Sequence, residues 1–345
     1  MKNNYPLTSI ILPVYNGENV ISRSIESVLA QDYPCIELIV VDDGSMDHTR
    51  EIVSDYAEKH VNIRLLTLKN QGVSNARNVG ISASNGEYIA FLDADDELMP
   101  DIISTSMNLI QKNNADIVCT NSYYVDDGHI ISKMGEIRPN DSILTDEHGK
   151  RDLIRQLYCN TNEPYFGDYL RASWGKLYSA ELLRKHQIQF PVGVPIGEDS
   201  IFLLYAFYYA QKIIFKDAYL YKYYRSDQSV TGRVVKQFYE KRVAEYQALK
   251  TALNNIHYSF DHIDEIFWHR SNFENIGNVL KSDKKPAEKI RVIRDFYKEP
   301  YCRKYLSIPL NGKKDQIRAF LMRTHQYSLM AMIDYYSKKD KCAGS

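Results

Sequence analysis

Two short acidic runs contain residues whose types and spacing could do chemistry. Asp42 and Asp43 open a D-D-G-S sequence, and Asp93, Asp95 and Asp96 form D-A-D-D. Both runs directly follow apolar stretches, ELIVV and YIAFL, which are typical of buried strands. Carboxylates gathered at one sheet edge repel one another unless a cation or hydrogen-bond donors lie among them. Asp-x-Asp spacing on an extended backbone points both carboxylates the same way, which suits a hard divalent cation.

The same acids also have a purely structural interpretation. A D-G-S sequence before a helix is common turn chemistry, so this role stays open for Asp42. Three acids after a buried strand favour a functional site. The usual phosphate-binding loops are absent, since no G-x-G-x-x-G follows the first strand and no G-x-x-x-x-G-K-S/T occurs. Any phosphate would then be held by a metal ion and by Arg or Lys side chains.

Strands and helices that position these acids alternate along the first 120 residues. This alternation predicts an α/β fold, with a Rossmann-like, mostly parallel sheet flanked by helices. Ligands bind such sheets beyond the carboxyl ends of the strands, where both acidic runs fall. The predicted strands cover 8–12, 37–41, 62–68, 88–92 and 116–120, and the predicted helices cover 18–31, 47–60, 73–84 and 101–113.

After residue 120 the pattern becomes less regular. Residues 126–150 are polar and are predicted to form loops or an edge hairpin. Beyond residue 225 the chain is predicted to be helical, with a break at 283–286. The helices predicted in this part of the chain cover 152–158, 179–186, 201–211, 234–256, 263–280 and 316–336.

Composition is that of a globular protein and excludes collagen-like, disordered and coiled-coil chains. Of the 345 residues, 44% are hydrophobic and 25% are charged. The net charge of −1 hides an asymmetry, because residues 231–345 carry 22 basic and 13 acidic side chains. This basic region is compatible with anionic lipid headgroups, so peripheral membrane contact stays open. Contact with a second subunit, or plain packing with solvated charges, stays open.

Cysteines and apolar runs indicate the compartment. The five cysteines are scattered and form no C-x-x-C pair, so a disulfide framework or structural zinc site is not expected. The longest apolar run, 201–210, is half the length of roughly 20 residues that a bilayer span needs. No apolar leader precedes Pro13. We therefore expect a cytoplasmic protein, with the inner face of the plasma membrane as an open alternative, and no nucleic-acid partner.

Four motifs in order carry a family resemblance. SIILPVYNGE, IVVDDGSMDHT, NQGVSNARNVGI and GEYIAFLDADD together resemble the family 2 glycosyltransferases of the GT-A fold. The resemblance is tight over 8–120 and continues through SWGKLYSAELL, PIGEDSIF and YKYYRSDQSV to about residue 232. It implies a GT-A catalytic domain over 1–230, with a nucleotide-sugar half at about 1–120 and an acceptor half at about 121–230. Residues 231–345 would form a basic helical C-terminal region.

The resemblance also implies a role for each candidate residue. Asp199 would be the catalytic base, and Asp95 with Asp93 would ligate Mn²⁺ or Mg²⁺. An Asp that accepts the uracil N–H would favour UDP over a purine nucleotide. The acceptor side would include Trp174, Lys176 and Glu198. The nucleotide would be held by Pro13, Val14, Tyr15, Asn16, Asp42, Asp43, Arg77, Asp93, Ala94 and Arg225.

The implied activity is that of an inverting, metal-dependent glycosyltransferase. It would move a hexose or N-acetylhexosamine from a UDP-sugar to a hydroxyl of a glycan or lipid-linked glycan, in bacterial surface-polysaccharide synthesis. Structural alternatives stay open at this point: Glu198 and Asp199 suit an acidic helix start, and Trp174 suits a core. The alternative functions are a sugar-nucleotide pyrophosphorylase, whose Gly-rich loop is missing here, and a catalytically silent glycan-binding protein. A homo-oligomer is a further expectation.

Overall fold

The protein is described from a computed structural model. The structure describes residues 5–134, 141–158, 170–224, 238–259, 261–281, 284–305, 317, 320–321 and 324–329. The chain divides into two compact units. Residues 1–157 and 165–225 form the first unit, and residues 158–164 and 226–345 form the second.

The elements of the first unit are mixed α and β. Its strands are β1 (Thr8–Val14), β2 (Ile36–Asp42), β3 (Ile63–Thr67), β4 (Tyr88–Phe91), β5 (Glu97–Leu98), β6 (Ile117–Asp126), β7 (His129–Met134), β8 (Ser142–Leu144), β9 (Lys176–Ser179) and β10 (Ile213–Tyr224). Its helices are α1 (Ile21–Leu29), α2 (Thr49–Lys59), α3 (Val73–Ala83), α4 (Ile102–Asn113), α5 (Glu147–Gln156), α6 (Ala180–Lys185) and α7 (Glu198–Tyr209).

One sheet organises this unit, in the order β3-β2-β1-β4-β9-β6-β10-β5. The first four strands of that order are mutually parallel, and β6 is parallel to β10. Strand β9 lies antiparallel between β4 and β6, while β7 and β8 add antiparallel pairs to β6 and β10. This is the predicted α/β class, a central sheet flanked by helices. The carboxyl ends of β1, β2 and β4 therefore meet at one edge.

Apolar strands and amphipathic helices explain the packing of this unit. Every residue of β1 and β2 is buried, as expected for parallel strands covered on both faces. Helix α3 packs closely on β1 through Gly80, where an added Cβ would lie 2.4 Å from Cγ2 of Ile11. Three stacked or edge-on rings, Phe91, Phe190 and Phe202, fill the core beneath β4 and α7.

Some strands and helices begin or end at residues other than those predicted. Strand β1 was predicted to end at residue 12, but it continues through Pro13 to Val14. Pairing of β1 with β4 ends at Ile11, so the N–H that proline lacks is not needed for hydrogen bonds between these two strands. Helix α5 begins at residue 147 rather than 152, where Asp146 caps it by accepting from the N–H of Gly149. The range 126–150, predicted to form loops or an edge hairpin, contains β7, which forms a hairpin with the preceding β6, and β8, which pairs with β10.

Strands β9 and β10 were not predicted. Strand β9 is only four residues long, which is too short for a periodic signal. Strand β10 is interrupted by register shifts between Lys216 and Tyr221, which obscure its alternation. Its run of tyrosines over 219–224 was the available strand signal.

The second unit is helical in its described residues. Its helices are α8 (Phe238–Asn255), α9 (Ile263–Lys281), α10 (Pro286–Tyr297) and α11 (Pro300–Tyr305). Trp268 is stacked on Tyr301 at 4.3 Å, and Tyr246 and Phe267 contact Trp268 in the same aromatic cluster. Most of the predicted helix at 316–336 lies outside the described residues. Every helix in the described part of the chain is too short or too polar to span a bilayer.

Candidate active site

The guanidinium of Arg77 holds three carboxylates together at the carboxyl edge of the sheet. Its Nη2 donates to Asp93 at 2.8 Å. Its Nη1 donates to Glu198 at 3.2 Å and to Asp199 at 3.0 Å. The Arg77 side chain is only 4% exposed, and its Cζ atom lies 5.1 Å from the centroid of the Phe190 ring. Residues from three separate parts of the chain thus converge on one cation.

Local sequence explains why these groups meet. Arg77 lies on the buried face of α3, with Ala76 and Gly80. Asp93 follows β4 directly, after Leu92 donates its N–H to Ile11 of β1. Gly197 adopts φ +80°, a conformation that favours glycine, so α7 starts sharply with Glu198 and Asp199 in its first turn. The positive helix end there favours the two acids.

The cluster holds more negative than positive charge. Burial and the adjacent Asp199 raise the pKa of Glu198 to about 7. Burial also raises the pKa of Asp199, although Arg77 partly opposes that shift. The three carboxylates keep the pKa of Arg77 above its ordinary value despite its burial. One guanidinium cannot neutralise three carboxylates, so the site favours an added proton or cation.

Asp199 is held through both of its oxygens. Arg77 donates to Oδ1, and the backbone N–H of Ser173 donates to Oδ2 at 3.2 Å. A carboxylate offers about four acceptor positions, so lone pairs remain for a substrate hydroxyl. Ser173 belongs to the S-W-G-K segment. The contact with Asp199 was not predictable from this segment, because the Ser173 backbone N–H makes it.

Acids of the D-A-D-D run differ in their partners. Asp96 is buried and accepts from the Tyr221 hydroxyl at 2.7 Å and from the Tyr224 N–H at 2.8 Å. Asp95 is half-buried, and its carboxylate accepts no hydrogen bond from another residue in the described part of the chain. Burial and the neighbouring Asp93 raise the pKa of Asp95 to about 6. Asp95 is therefore the acid available to a ligand.

Helix α1 fixes the backbone of this run. The Ser24 hydroxyl donates to the carbonyls of Ala94 at 2.7 Å and Asp96 at 2.8 Å. Arg23 donates to the carbonyl of Asp95 and stacks 3.7 Å above the ring of Tyr224. These contacts were not predictable from residue types, since both residues fall in an ordinary amphipathic helix. They hold the Asp95 carboxylate in a defined place.

Asp42 and Asp43 are buried and bound by protein donors. Asp42 accepts from the Ser45 N–H at 2.8 Å and from Arg50 Nε at 3.2 Å. Asp43 accepts from two backbone N–H groups after β3, those of residues 71 and 72, at 2.9 and 2.7 Å. Both acids thus shape loops, as the structural alternative for Asp42 proposed. Their second lone pairs stay compatible with the predicted nucleotide contact.

Loops after β1 and β2 interlock beside these acids. Asn16 adopts φ +50°, its N–H donates to the Ser45 hydroxyl, and its side-chain oxygen accepts from the Met46 N–H. Tyr15 is 44% exposed, whereas Pro13 and Val14 are buried in β1. The predicted nucleotide residues after β1 therefore share one edge with Asp42.

The acceptor candidates are more buried than their predicted role suggests. Trp174 is 6% exposed and stacks on Tyr221 at 4.4 Å and on Tyr223 at 5.5 Å. Lys176 is 3% exposed, and its ammonium donates to the carbonyl of Ala172 at 2.6 Å. Burial lowers its pKa to about 8. Glu198, by contrast, lies in the cluster around Arg77. The predicted contact of Arg225 lies outside the described residues.

Comparison with known proteins identifies the family. The family model "Glycosyl transferase family 2" matches residues 9–171. An uncharacterized glycosyltransferase of Bacillus subtilis, EpsJ, is 33% identical over 253 residues, which cover 73% of this chain and 71% of that protein. The chain belongs to glycosyltransferase family 2. The family assignment confirms the resemblance and favours a transferase over the pyrophosphorylase and silent-protein alternatives.

Solved structures support the same fold. TarS of S. aureus, residues 1–349 in complex with UDP-GlcNAc, aligns at a TM-score of 0.55 and 18% identity, covering 97% of this chain and 92% of TarS. The mannosyltransferase PcManGT of Pyrobaculum calidifontis, in complex with GDP-Man and Mn²⁺, aligns at a TM-score of 0.53 and 15% identity, covering 96% and 87%. At these identities the likeness establishes the GT-A fold alone.

Proposed function

We propose that this family 2 glycosyltransferase is an inverting, metal-dependent enzyme. It moves a hexose or N-acetylhexosamine from a UDP-sugar to a hydroxyl of a glycan or lipid-linked glycan. The observation that carries the proposal is the acidic cluster at one sheet edge, in which Asp93 and Asp199 share Arg77 while Asp95 accepts from no other residue in the described chain. Donor-side and acceptor-side acids are thereby adjacent.

The residues present fit a divalent cation bound together with the donor. Among the described residues, no group of three His, Cys, Asp or Glu side chains has an arrangement that could hold a metal ion, so the protein alone does not complete a metal site. Mg²⁺-type sites in phosphate chemistry need only one or two carboxylates, with substrate oxygens as the other ligands. Asp95 would be the principal ligand and Asp93 the second. A bound cation would stabilise the charge that grows on the leaving diphosphate.

Asp199 is the residue best placed to act as general base. Its carboxylate is oriented by Arg77 and Ser173 and keeps lone pairs for an acceptor hydroxyl. As the hydroxyl oxygen attacks the anomeric carbon, its proton passes to Asp199 and the bond to the leaving diphosphate breaks. Attack opposite the leaving group inverts the configuration. Burial raises the basicity of Asp199, which favours accepting that proton.

Arg77 contributes by holding Asp93 and Asp199 in fixed positions relative to each other. Both Nη atoms already donate to carboxylates, and its Nε has no partner among the described residues. Its predicted contact with the nucleotide diphosphate stays part of the proposal. The UDP preference likewise rests on the predicted acceptance of a uracil N–H by Asp42 or Asp43, since the neighbours named above hold UDP-GlcNAc or GDP-Man.

Two substitutions test this mechanism. Asp199→Asn keeps the shape of the side chain but removes the base, so transfer should fall by about 10²-fold or more while UDP binding is spared. Asp95→Ala should remove the Mn²⁺-dependent part of UDP binding, measured by calorimetry with and without Mn²⁺. Asp141→Asn, an exposed acid paired with Lys216, is the control and should change neither quantity. Near-normal turnover of Asp199→Asn would remove the base assignment.

The donor and the acceptor are addressed by binding assays. A thermal-shift panel of UDP-, GDP- and CDP-sugars with Mn²⁺ should show the largest stabilisation for a UDP-sugar. The proposed contact with an anionic membrane or lipid-linked acceptor is supported by the exposed residues Arg291 and Arg294 on α10 and Lys298 directly after it. Sedimentation with anionic vesicles, but not with neutral ones, would support that contact.

A further inference from the structure

The loop before β9 has three successive carbonyls tied down by side chains of that strand. Lys176 donates from its ammonium to the carbonyl of Ala172 at 2.6 Å and reaches the carbonyl of Trp174 at 3.5 Å. Tyr178 donates from its hydroxyl to the carbonyl between them, that of Ser173, at 2.8 Å. Both side chains are buried, so these bonds are shielded from water.

A fourth carbonyl in this loop is held from β6. The Thr120 N–H and hydroxyl both donate to the carbonyl of Gly175, at 2.9 and 3.1 Å. Gly175 has φ +66°, which lets the loop reverse before β9 starts at Lys176. The backbone of residues 172–175 is thus fixed through four consecutive carbonyls.

Fixing the carbonyls also fixes the opposite side of the peptide groups. The N–H of Ser173 belongs to the peptide whose carbonyl, on Ala172, is bound by Lys176. Because a peptide group is planar, that N–H must point away from the ammonium. It donates to Oδ2 of Asp199 at 3.2 Å, while Arg77 holds Oδ1.

We propose that Lys176 and Tyr178 are positioning residues for the general base, acting through the Ser173 N–H. Lys176 holds the Ala172–Ser173 peptide, whose N–H orients Asp199, and Tyr178 holds the next peptide, on the other side of the Ser173 Cα. Together they fix the backbone on both sides of Ser173, and neither needs to touch the substrate. The proposal rests on the proposed role of Asp199. It assigns Lys176 a place beneath the reacting groups, in contrast to the acceptor contact predicted from sequence.

Several charged groups surround Asp199, so a test must separate their electrostatic effect from the effect of backbone geometry. Arg77 on α3 and Lys176 on β9 are the cations that act on it, and Glu198 and Asp93 are the neighbouring acids. Replacing Lys176 therefore changes both geometry and charge. Replacing Tyr178 by Phe changes only the hydroxyl that holds the Ser173 carbonyl, so it isolates the geometric effect.

The experiment compares Tyr178→Phe with Tyr33→Phe in the full chain. Tyr33 is a matched control, because its hydroxyl also donates to a backbone carbonyl, that of Pro6 at 2.9 Å. The readouts are the pKa of the Asp199 carboxyl by ¹³C NMR, assigned with Asp199→Asn, the pH profile of sugar transfer, and UDP affinity. Lys176→Met is paired with Lys150→Met, another lysine that donates to a carbonyl, at 3.2 Å.

In Tyr178→Phe we expect the pKa of Asp199 to rise by about half a unit to one unit, since its Ser173 hydrogen bond weakens. The rising limb of the rate against pH should move to higher pH by the same amount, and kcat should fall about tenfold with UDP affinity unchanged. Tyr33→Phe should leave all three readouts as in the wild type. Lys176→Met should shift the pKa further.

An Asp199 pKa that is the same in Tyr178→Phe and Tyr33→Phe would overturn the positioning role. A shifted carboxyl pKa in a protein that transfers sugar from no nucleotide donor would uphold the positioning role and overturn the proposed function. If Lys176→Met does not fold, the tyrosine pair alone decides.

Discussion

Arg77 shows how much one buried side chain can determine in this enzyme. It is the common partner of acids that lie 16, 121 and 122 residues away in the chain. Removing one partner of a buried ion pair leaves uncompensated charge, which is far more costly than losing an exposed pair. The stability of the site therefore depends on this cation even before any substrate binds.

Arg77→Met should lower the free energy of unfolding by about 3–5 kcal/mol, because three carboxylates lose their cation. Arg77→Lys should recover only part of this loss, since an ammonium cannot reach the same fork of acceptors. Lys298→Met, which breaks an exposed pair with Asp295, is the control and should cost less than about 1 kcal/mol. Urea denaturation measures all three, and equal losses for Arg77→Met and the control would contradict the argument.

Glu198 makes stability depend on pH with a defined sign. Its pKa in the folded protein is about 7, against an ordinary 4.5, so the folded state binds more protons between these values. Stability should therefore fall as pH rises through this window. Glu198→Gln avoids the buried charge and should be more stable than the wild type by ~1–2 kcal/mol at pH 7.5, but not at pH 4.

Thermal denaturation in metal-chelating buffer at the two pH values provides the measurement for Glu198→Gln. The exposed control Glu51→Gln should show no such difference. A Glu198→Gln protein with no advantage at pH 7.5 would show that the charge of Glu198 is well compensated.

At the residue scale the sequence predicts which acids gather but not how each is used. The types and order of Asp42, Asp93 and Asp95 were enough to predict a charged sheet edge. Three facts were beyond reach: Asp43 is bound by backbone N–H groups, Ser173 contacts Asp199 through its backbone, and Lys176 is buried. Backbone partners leave no residue-type signature, and burial depends on contacts distant in the chain.

At the scale of elements, parallel strands with long apolar runs were predictable and short or irregular strands were not. The four strands β1 to β4 and their helices carry strong periodic signals, and they place the acids. Strand β9 and the bulged β10 were missed, although they supply the residues that hold the Ser173 loop and Asp96. The strands that were not predicted, β9 and β10, thus help to position acidic residues of the site that β1 to β4 and their helices bring together.

The contact between α3 and β1 gives a test at this scale. Glycine in a helix normally costs about 1 kcal/mol relative to alanine. At Gly80 the added methyl would clash with Ile11, so Gly80→Ala should destabilise the protein by about 1–3 kcal/mol. Gly277→Ala, in α9 with no atom within 4 Å of the added Cβ, should instead stabilise it by up to about 1 kcal/mol. Opposite signs in urea denaturation are the expected result, and a gain at Gly80 would contradict the close packing.

At the scale of the whole molecule, every described candidate residue belongs to the first compact unit. A unit with its own core can fold alone. A fragment of residues 1–225 should therefore bind UDP with Mn²⁺ about as tightly as the full chain does in calorimetry. A folded fragment, verified by circular dichroism, that fails to bind UDP would show that residues 226–345 contribute to the donor site.

The sharing of Arg77 between Asp93 and the Glu198–Asp199 pair also limits how this enzyme can be re-engineered. A chimera that takes the segment around residue 198 from a relative, in order to exchange acceptors, would pair the relative's acidic side chains with the Arg77 of this chain. Helix α3 and the start of α7 should therefore be transplanted together as one cassette. Directed evolution that randomises only the outer loops would leave the ion pairs of Arg77 intact. It therefore carries a lower risk of unfolding the protein while changing the glycan product.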